Sequence, residues 1–209
     1  MFCITVWDQN TQTWDNLKTL PQSPVMLGGL LDLLRYQLSK IDFVDEPVNL
    51  DFECPLDLHC VYTRDQILTA LDVSTPSTVR EGVKWLPKKQ LDILFVTLNK
   101  SDKDYSPTTM YNDYSINEKL FHWQSQSTTN EKSKTGQRYI HHTKNNSKVL
   151  LFVREFKNDA LSNIAEAYTF LGTANYVSHT GSNPMNITWC LDKPIPAKFL
   201  KKTNKLAVI

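Results

Sequence analysis

YTFLGTANYVSHTGSNPMNITWCL, residues 168–191, contains two apolar segments with many aromatic and β-branched residues, and a polar segment between them. Residues 168–177 and 185–191 have the composition of β-strands. The connecting SHTGSNP carries Gly181 and Asn183, residue types that favour tight turns. This stretch therefore predicts a β-hairpin.

Other apolar segments predict further strands. LDILFVTL at residues 91–98, VLLFVREF at residues 149–156 and the segment around Phe121 are short and rich in strand-forming residues. Together with the hairpin they give five or more strands, and we expect most of them to be antiparallel. Closing such a sheet into a small barrel would leave no edge strand exposed. We therefore predict an α+β fold in which a small N-terminal helical part precedes a mostly antiparallel β-barrel.

Helices are predicted mainly in the first third of the chain. Apolar residues recur at helical spacing in residues 24–41, and Thr63 with Gln66 forms a capping box for a second helix that runs to Leu71. A short closing helix is expected near residues 196–202. We predict two domains, a small acidic helical coupling domain at residues 1–75 and a β domain at residues 76–209.

The two signs of charge are separated along the chain. Residues 1–75 contain 4 Lys or Arg and 11 Asp or Glu, a net charge of −7, whereas residues 76–209 contain 19 and 11, a net charge of +8. A polyanion would therefore prefer the second part of the chain. The alternative interpretation is a solvated charged surface without a ligand.

Residues 120–140, LFHWQSQSTTNEKSKTGQRYI, interleave aromatic rings, amides, hydroxyls and cations. An extruded nucleobase needs rings to stack on, polar groups at its edge and cations near its phosphates. Core packing is the alternative role for Trp123. The candidate base-pocket residues are Trp123, Tyr139, Tyr114, Tyr111, Asp113, Gln124, Ser125 and Gln126. The candidate phosphate-binding residues are Lys132, Lys134, Arg138, Lys144 and Lys148.

Motifs for catalysis are few. No P-loop motif G-x-x-x-x-G-K-[ST] occurs, so we expect that the chain does not hydrolyse ATP by itself. Asp92 on one predicted strand, with Glu155 and Lys157 at the end of another, would suit a Mg²⁺-dependent nuclease, which is the enzymatic alternative. A module that reads RNA or single strands is a further alternative, since rings and cations would serve it equally well. We otherwise assign no catalytic residue, metal ligand or cofactor to this chain.

The sequence also indicates a compartment. No segment has the roughly 18 uncharged apolar residues of a membrane span, and the first residues lack the pattern of a signal peptide. The four cysteines, Cys3, Cys54, Cys60 and Cys190, are widely scattered, which favours reduced thiols over disulfides. We expect a cytoplasmic protein.

Six segments stand out when they are taken together: TRDQILTAL (63–71), LFVTLNKS (94–101), SINEKLFHWQSQS (115–127), TGQRYI (135–140), KVLLFVREF (148–156) and residues 168–200. Together they resemble a C-terminal domain family that is attached to superfamily-two helicases in bacteria, including the C-terminal region of an ATP-dependent type IV restriction enzyme. The segments FLGTANYV (170–177) and ITWCLDKPIP (187–196) are also similar to PUA-like domains, the superfamily that includes the SRA, EVE and YTH modified-base readers.

These resemblances imply a function. They imply that residues 76–209 form a PUA-like barrel that recognises 5-methylcytosine in double-stranded DNA by base flipping, as part of a modification-dependent restriction system for phage defence. Helicase and nuclease domains upstream in the same polypeptide would then be its partners. ATP and Mg²⁺ would belong to those domains, and the chain by itself would not be an enzyme.

Overall fold

The structure is a computed structural model that describes residues 22–39, 48, 50–99, 113–158 and 164–203. Two short 3₁₀ helices lie at Pro76–Thr78 and Pro87–Lys89. The α-helices are α1 (Pro24–Leu38), α2 (Arg64–Ala70), α3 (Lys134–Ile140) and α4 (Ala197–Thr203). The strands are β1 (Val61–Tyr62), β2 (Val83–Leu86), β3 (Leu91–Thr97), β4 (Tyr114–Ser115), β5 (Leu120–Gln124), β6 (Lys148–Arg154), β7 (Tyr168–Thr180) and β8 (Asn186–Leu191).

Strands β3 and β6 form a parallel pair inside the sheet, with Leu91 opposite Lys148 and Thr97 opposite Arg154. Every residue of β3 is buried. Strands that are covered on both faces consist mostly of apolar residues, without regular alternation of apolar and polar positions. This explains why LDILFVT shows no period of two.

The described strands form one sheet in the order β2-β3-β6-β7-β8-β5-β4, and β1 pairs with β7 beside this path. All of these pairs except β3–β6 are antiparallel, which confirms the predicted α+β fold with a mostly antiparallel sheet. The predicted closed barrel is wrong. Strands β2 and β4 end the order and do not pair with each other, so the sheet remains open.

The sheet bends at β7. The first part of this 13-residue strand pairs with β6 and the later part pairs with β8, so both halves of the sheet share one strand. Gly172 lies at the bend with φ +89, and a Cβ added there would lie 2.7 Å from Leu58 Cδ1. Only glycine adopts this conformation without strain while also leaving room for Leu58. Because of the bend, the two halves of the sheet pack against each other through their inner faces, and these faces are buried although the sheet does not close into a barrel.

Two apolar clusters fill the two sides of the central strands. The inner cluster joins residues of β3 and β6, such as Val96 and Leu151, to Phe121 and Trp189 of the other half of the sheet. The outer cluster joins Ile93, Leu150 and Phe170 to Leu50, Leu56 and the α2 residues Ile67 and Leu68. Residues 50–71 therefore share a core with the sheet, across the domain boundary predicted at residue 75.

Local sequence signals are confirmed at several points. The Thr63 hydroxyl accepts a hydrogen bond from the Gln66 backbone N–H at 3.3 Å, and the Gln66 side chain accepts one from the Thr63 N–H at 2.8 Å, as a capping box requires. The β7–β8 hairpin turns through Gly181 and Asn183, which both have positive φ. Cys54, Cys60 and Cys190 form no disulfide bond with one another, and Cys3 lies outside the described residues.

Helix α1 differs from the rest of the described chain because much of its apolar surface is exposed. Val25, Met26 and Leu33 are all exposed, and residues 40 and 41 of the predicted helix lie outside the described residues. Among the helices that are described, none is both long and apolar enough to cross a membrane.

Candidate functional site

A cleft of about 620 Å³ opens on the surface beside α3, and we call it the basic cleft. Its lining combines cationic, amide and hydroxyl side chains, and no carboxylate belongs to the described lining. The residues that line it are Gln90, Lys134, Gln137, Arg138, His141, Lys144, Asn145 and Ser147.

Helix α3 supplies one wall of the basic cleft. Ser133 caps the helix, since its hydroxyl accepts a hydrogen bond from the Gly136 N–H at 3.0 Å. Lys134, Gln137, Arg138 and His141 follow the helical spacing of three and four residues, so they share one face of the helix. That face is turned to the cleft, while Tyr139 on the opposite side is buried in the inner cluster.

The helix is held close to the preceding loop. A Cβ added at Gly136 would lie 2.0 Å from the Asn130 carbonyl oxygen and 3.0 Å from Met185 Sδ. The Asn130 carbonyl also accepts hydrogen bonds from the backbone and the hydroxyl of Ser133. Glycine at position 136 therefore allows α3 to pack directly on the loop, which fixes where the cleft-facing side chains lie.

The lysines of the basic cleft are not neutralised by nearby acids. Lys134 and Lys144 are exposed, and neither forms an ion pair with any carboxylate in the described part of the chain. Lys89 and Lys148 differ from them, since they pair with Asp72 and Asp51. The two uncompensated charges make the cleft a favourable place for an anion.

Arg138 lies between the basic cleft and the sheet. Its Nε and Nη2 donate hydrogen bonds of 2.6 and 2.9 Å to the two carboxylate oxygens of Asp92, which is 0% exposed. The guanidinium carbon lies 4.3 Å from the ring centroid of Trp85, so the ring covers one face of the guanidinium. Burial raises the pKa of Asp92, and the hydrogen bonds from Arg138 oppose this rise. Burial alone would lower the pKa of Arg138, but the hydrogen bonds to Asp92 raise it, so the guanidinium stays charged.

The predicted stacking rings Trp123 and Tyr139 are in contact but lie in the interior. Their ring centroids are 5.5 Å apart with an interplanar angle of 87°, and Trp189 packs against both. Trp123 is 4% exposed and Tyr139 is 0% exposed. In this structure their ring faces are covered by neighbouring side chains, so both residues act as core packing. The buried Trp189 indole N–H has no hydrogen-bond partner among the described residues, and the buried Tyr139 hydroxyl has only the neighbouring Arg138 guanidinium as a candidate partner there.

His142 closes the same aromatic cluster, 5.9 Å from Trp189 between ring centroids. Its Nδ1 lies 3.1 Å from the Ser147 carbonyl, and its Nε2 lies 3.0 Å from the Tyr176 backbone nitrogen. A carbonyl can only accept and a backbone N–H can only donate, so the ring is neutral with its hydrogen on Nδ1. Burial lowers the pKa of His142, which agrees with a neutral ring. His142 thereby supports β7 where its register with β8 shifts.

Most of the other predicted base-pocket residues form hydrogen bonds or ring contacts within the protein. Asp113 is buried and accepts the Gln124 backbone N–H at 2.9 Å, and the Gln124 side chain donates to Asn186 at 2.6 Å. The buried Ser125 hydroxyl accepts the Met185 N–H and donates to the Gln126 carbonyl. Tyr114 stacks on His122 with centroids 4.7 Å apart, Gln126 is partly exposed, and Tyr111 lies outside the described residues.

The structure brings together some of the predicted phosphate-binding residues. Lys134, Arg138 and Lys144 line the basic cleft, whereas the exposed Lys132 does not, and Lys148 pairs with Asp51 at 3.4 Å. Sequence reasoning missed the polar partners Gln90, Gln137, His141 and Asn145. The helical spacing of Lys134, Gln137, Arg138 and His141 was the available signal for two of them. Nothing local pointed to Gln90, which takes a left-handed conformation after Pro87–Lys89.

The arrangement proposed for a Mg²⁺-dependent nuclease is wrong. Asp92 is opposite Val149 in the parallel pair, six residues before Glu155, so the two carboxylates lie at opposite ends of the strands. A strand rises about 3.3 Å per residue, which separates them by about 20 Å. Asp92 is also held by Arg138. No cluster of three or more metal-ligating side chains occurs within the described residues.

Residues 56–202 match the family described as “Domain of unknown function (DUF3427)”. The chain belongs to this family. Comparison with curated proteins gives no match. Among solved structures, the chain is similar to the “DNA recognition domain of the cytosine modification-dependent restriction endonuclease LpnPI”, with 10% identity, a TM-score of 0.33, and coverage of 64% of this chain and 74% of that chain.

Proposed function

We propose that this DUF3427 chain binds the phosphate backbone of double-stranded DNA in the basic cleft, as the substrate-recognition region of a modification-dependent (type IV) restriction enzyme. One observation carries the DNA-binding part of this proposal. Lys134, Arg138 and Lys144 converge on one cleft, and no carboxylate belongs to its described lining.

The chemistry of the lining suits a nucleic-acid backbone. Cations next to phosphates release condensed counterions from the DNA, and this release supplies much of the binding free energy. Gln90, Gln137 and Asn145 add amide donors and acceptors, which commonly contact phosphates, sugars and base edges. The cleft volume of about 620 Å³ exceeds what a single small anion needs and accommodates a length of sugar-phosphate chain.

Recognition of 5-methylcytosine by base flipping is the finer part of the proposal, and the sequence resemblance to modified-base readers supports it. Burying a methyl group yields only about 0.8 kcal/mol, so strong discrimination also needs an unfavourable contact with the wrong base. Trp123 and Tyr139 could enclose a base only if the inner cluster opened, because both rings are covered in this structure.

The backbone-binding proposal is tested by measuring the dissociation constant of one duplex at several salt concentrations. Replacing Lys134 and Lys144 by Gln should lower the slope of log K against log salt by about 0.9 for each phosphate that the protein no longer neutralises. The matched control replaces Lys119 and Lys201, two exposed lysines outside the cleft, and should leave the slope nearly unchanged. Equal slopes for the two double variants would refute the assignment of the cleft.

The modification-specific part has its own test. Methylated and plain duplexes of one sequence are titrated at one salt concentration, and tighter binding of the methylated duplex is expected. Equal affinities would remove 5-methylcytosine recognition but leave DNA binding intact. Competition with RNA and with single-stranded DNA at the same ionic strength would reveal a single-strand or RNA reader if either competitor bound more tightly.

The proposal places catalysis outside this chain. Helicase and nuclease domains upstream in the same polypeptide would use ATP and Mg²⁺, and this chain would select the DNA on which they act. Incubating the chain alone with duplex DNA and Mg²⁺ should therefore leave the DNA intact. Cleavage that disappears in Glu155→Ala would instead assign nuclease activity to the chain itself.

A further inference from the structure

We infer that Asp92 is a positioning residue for DNA binding, which holds Arg138 so that the guanidinium presents a fixed pair of N–H donors to one phosphate in the basic cleft. This inference rests on the proposed function and names a specific phosphate contact within it.

The hydrogen bonds of Arg138 leave one edge of the guanidinium unused. Arginine has five N–H donors in one plane, and two of them, on Nε and Nη2, bind Asp92. The guanidinium also lies beside the Tyr139 hydroxyl, which can accept one further N–H, so at least two of the five donors remain. The remaining edge, formed by Nη1 and the second N–H of Nη2, has the geometry that binds two oxygens of a phosphate. Because Arg138 lines the basic cleft, that edge is within reach of a ligand there.

Two contacts restrict the orientation of Arg138. Asp92 fixes the edge of the guanidinium through two hydrogen bonds, and Trp85 covers one face at 4.3 Å from the ring centroid. Asp92 itself is completely buried on β3, so its carboxylate has little freedom to move. A donor that is held in place loses less conformational entropy on binding than a flexible lysine does.

Stability alone is a weak reason for this ion pair. A buried pair costs desolvation free energy, and apolar residues of the same size often serve a core equally well. The pair is also neutral overall, so it adds no net attraction for a polyanion beyond that of Lys134 and Lys144. Its contribution to binding is therefore the direction of the donors, which an apolar pair or a lysine would not supply.

The test uses one near-isosteric variant, Asp92→Asn, and one charge-conserving variant, Arg138→Lys, for which net charge and positioning make different predictions. Asp92→Asn makes the protein more positive by one charge, so net charge alone predicts equal or tighter duplex binding. Positioning predicts binding about ten-fold weaker, because Asn can accept only one of the two hydrogen bonds that hold Arg138 and its NH₂ group would face the other donor. Arg138→Lys keeps the charge and should also weaken binding about ten-fold. If Asp92 acts through Arg138, the double variant should bind about as weakly as Arg138→Lys alone.

A second measurement does not depend on the stability of Asp92→Asn. Phosphates of the duplex are replaced one at a time by uncharged methylphosphonates, and affinities are measured for the wild-type protein and Arg138→Lys. One replacement should weaken wild-type binding strongly and have little further effect on Arg138→Lys. If every replacement weakens both proteins equally, Arg138 does not make the proposed contact.

Failure of this inference can be told apart from failure of the proposed function. If wild-type protein shows no salt-dependent duplex binding, the proposed function fails and the inference fails with it. If the lysine variants change the salt slope while folded Asp92→Asn and Arg138→Lys bind within about two-fold of wild type, only the inference is overturned.

Discussion

Acidification from about pH 8 to about pH 5 should destabilise the fold through His142. The ring is neutral because Nδ1 donates to the Ser147 carbonyl and Nε2 accepts the Tyr176 N–H. A proton on Nε2 would face that N–H, and the buried charge would have no carboxylate partner in direct contact among the described residues. Burial lowers the pKa of His142 below its ordinary value of 6.5.

The sign and size of the effect follow from proton linkage. The pKa is lower in the folded state, so the unfolded chain binds the proton first as the pH falls. The stabilisation that neutral His142 provides is complete above pH 6.5, its ordinary pKa. It is lost progressively as the pH falls from there to the pKa of His142 in the folded protein. The loss reaches at most about 1.4 kcal/mol per pH unit, which corresponds to one proton.

Urea unfolding at a series of pH values measures this loss, with tryptophan fluorescence as the signal because Trp189 packs on His142. The slope of unfolding free energy against pH should be smaller in His142→Gln than in wild type. Asn145→Gln is the control, since it replaces one neutral exposed side chain by another and should leave the slope unchanged. The same slope in wild type and His142→Gln would refute the reasoning.

Three further predictions concern the stability of the fold. Gly136→Ala should lower the unfolding free energy by about 1–3 kcal/mol, because its Cβ would lie 2.0 Å from the Asn130 carbonyl; a thermal midpoint equal to wild type would contradict this contact. Trp123→Ala should cost about 3–5 kcal/mol in urea unfolding if Trp123 is a core residue, whereas the partly exposed Gln126→Ala should cost less than about 0.5 kcal/mol. Thr63→Ala should cost about 1 kcal/mol through loss of the capping box, and Thr63→Ser, which keeps the hydroxyl, should restore most of it.

The strands could be predicted from the sequence because their signals are local. The apolar segments at residues 91–98 and 149–156 and the turn at Gly181 and Asn183 each predict their own element, and the structure contains all of them. Closure of the sheet is not a local property. Whether β2 meets β4 depends on how far β7 bends, and no single segment encodes that.

Helix α3 was harder to predict because it is short and contains weak helix-forming residues in its first turn. Its seven residues include Thr135 and Gly136, which are weak helix formers. The helix is stabilised by the Ser133 cap and by close packing on Asn130, and the second of these contacts depends on the tertiary structure. Because α3 is not recognisable as a helix from the sequence, the helix face that carries Gln137 and His141 was missed as well.

The candidate site, like the fold, could be predicted only in part from the sequence. Charge separation along the chain indicated cations such as Lys134 and Lys144 as candidates, but it did not show which of them converge on the basic cleft. The Asp92–Arg138 pair joins residues 46 positions apart and has no sequence signature. For Trp123 the sequence left open a stacking role and a core position. The structure places its side chain on the same buried strand face as Phe121.

The shared outer core has a practical consequence for anyone who shortens this protein. A fragment that begins at residue 76 would lack Ile67 and Leu68 and would leave Ile93, Leu150 and Phe170 uncovered on the back of the sheet. An exposed apolar surface of this kind favours aggregation. A failure of the fragment to bind DNA could then result from aggregation, so it would not test the basic cleft. Fragments intended for binding assays should therefore begin before Leu50.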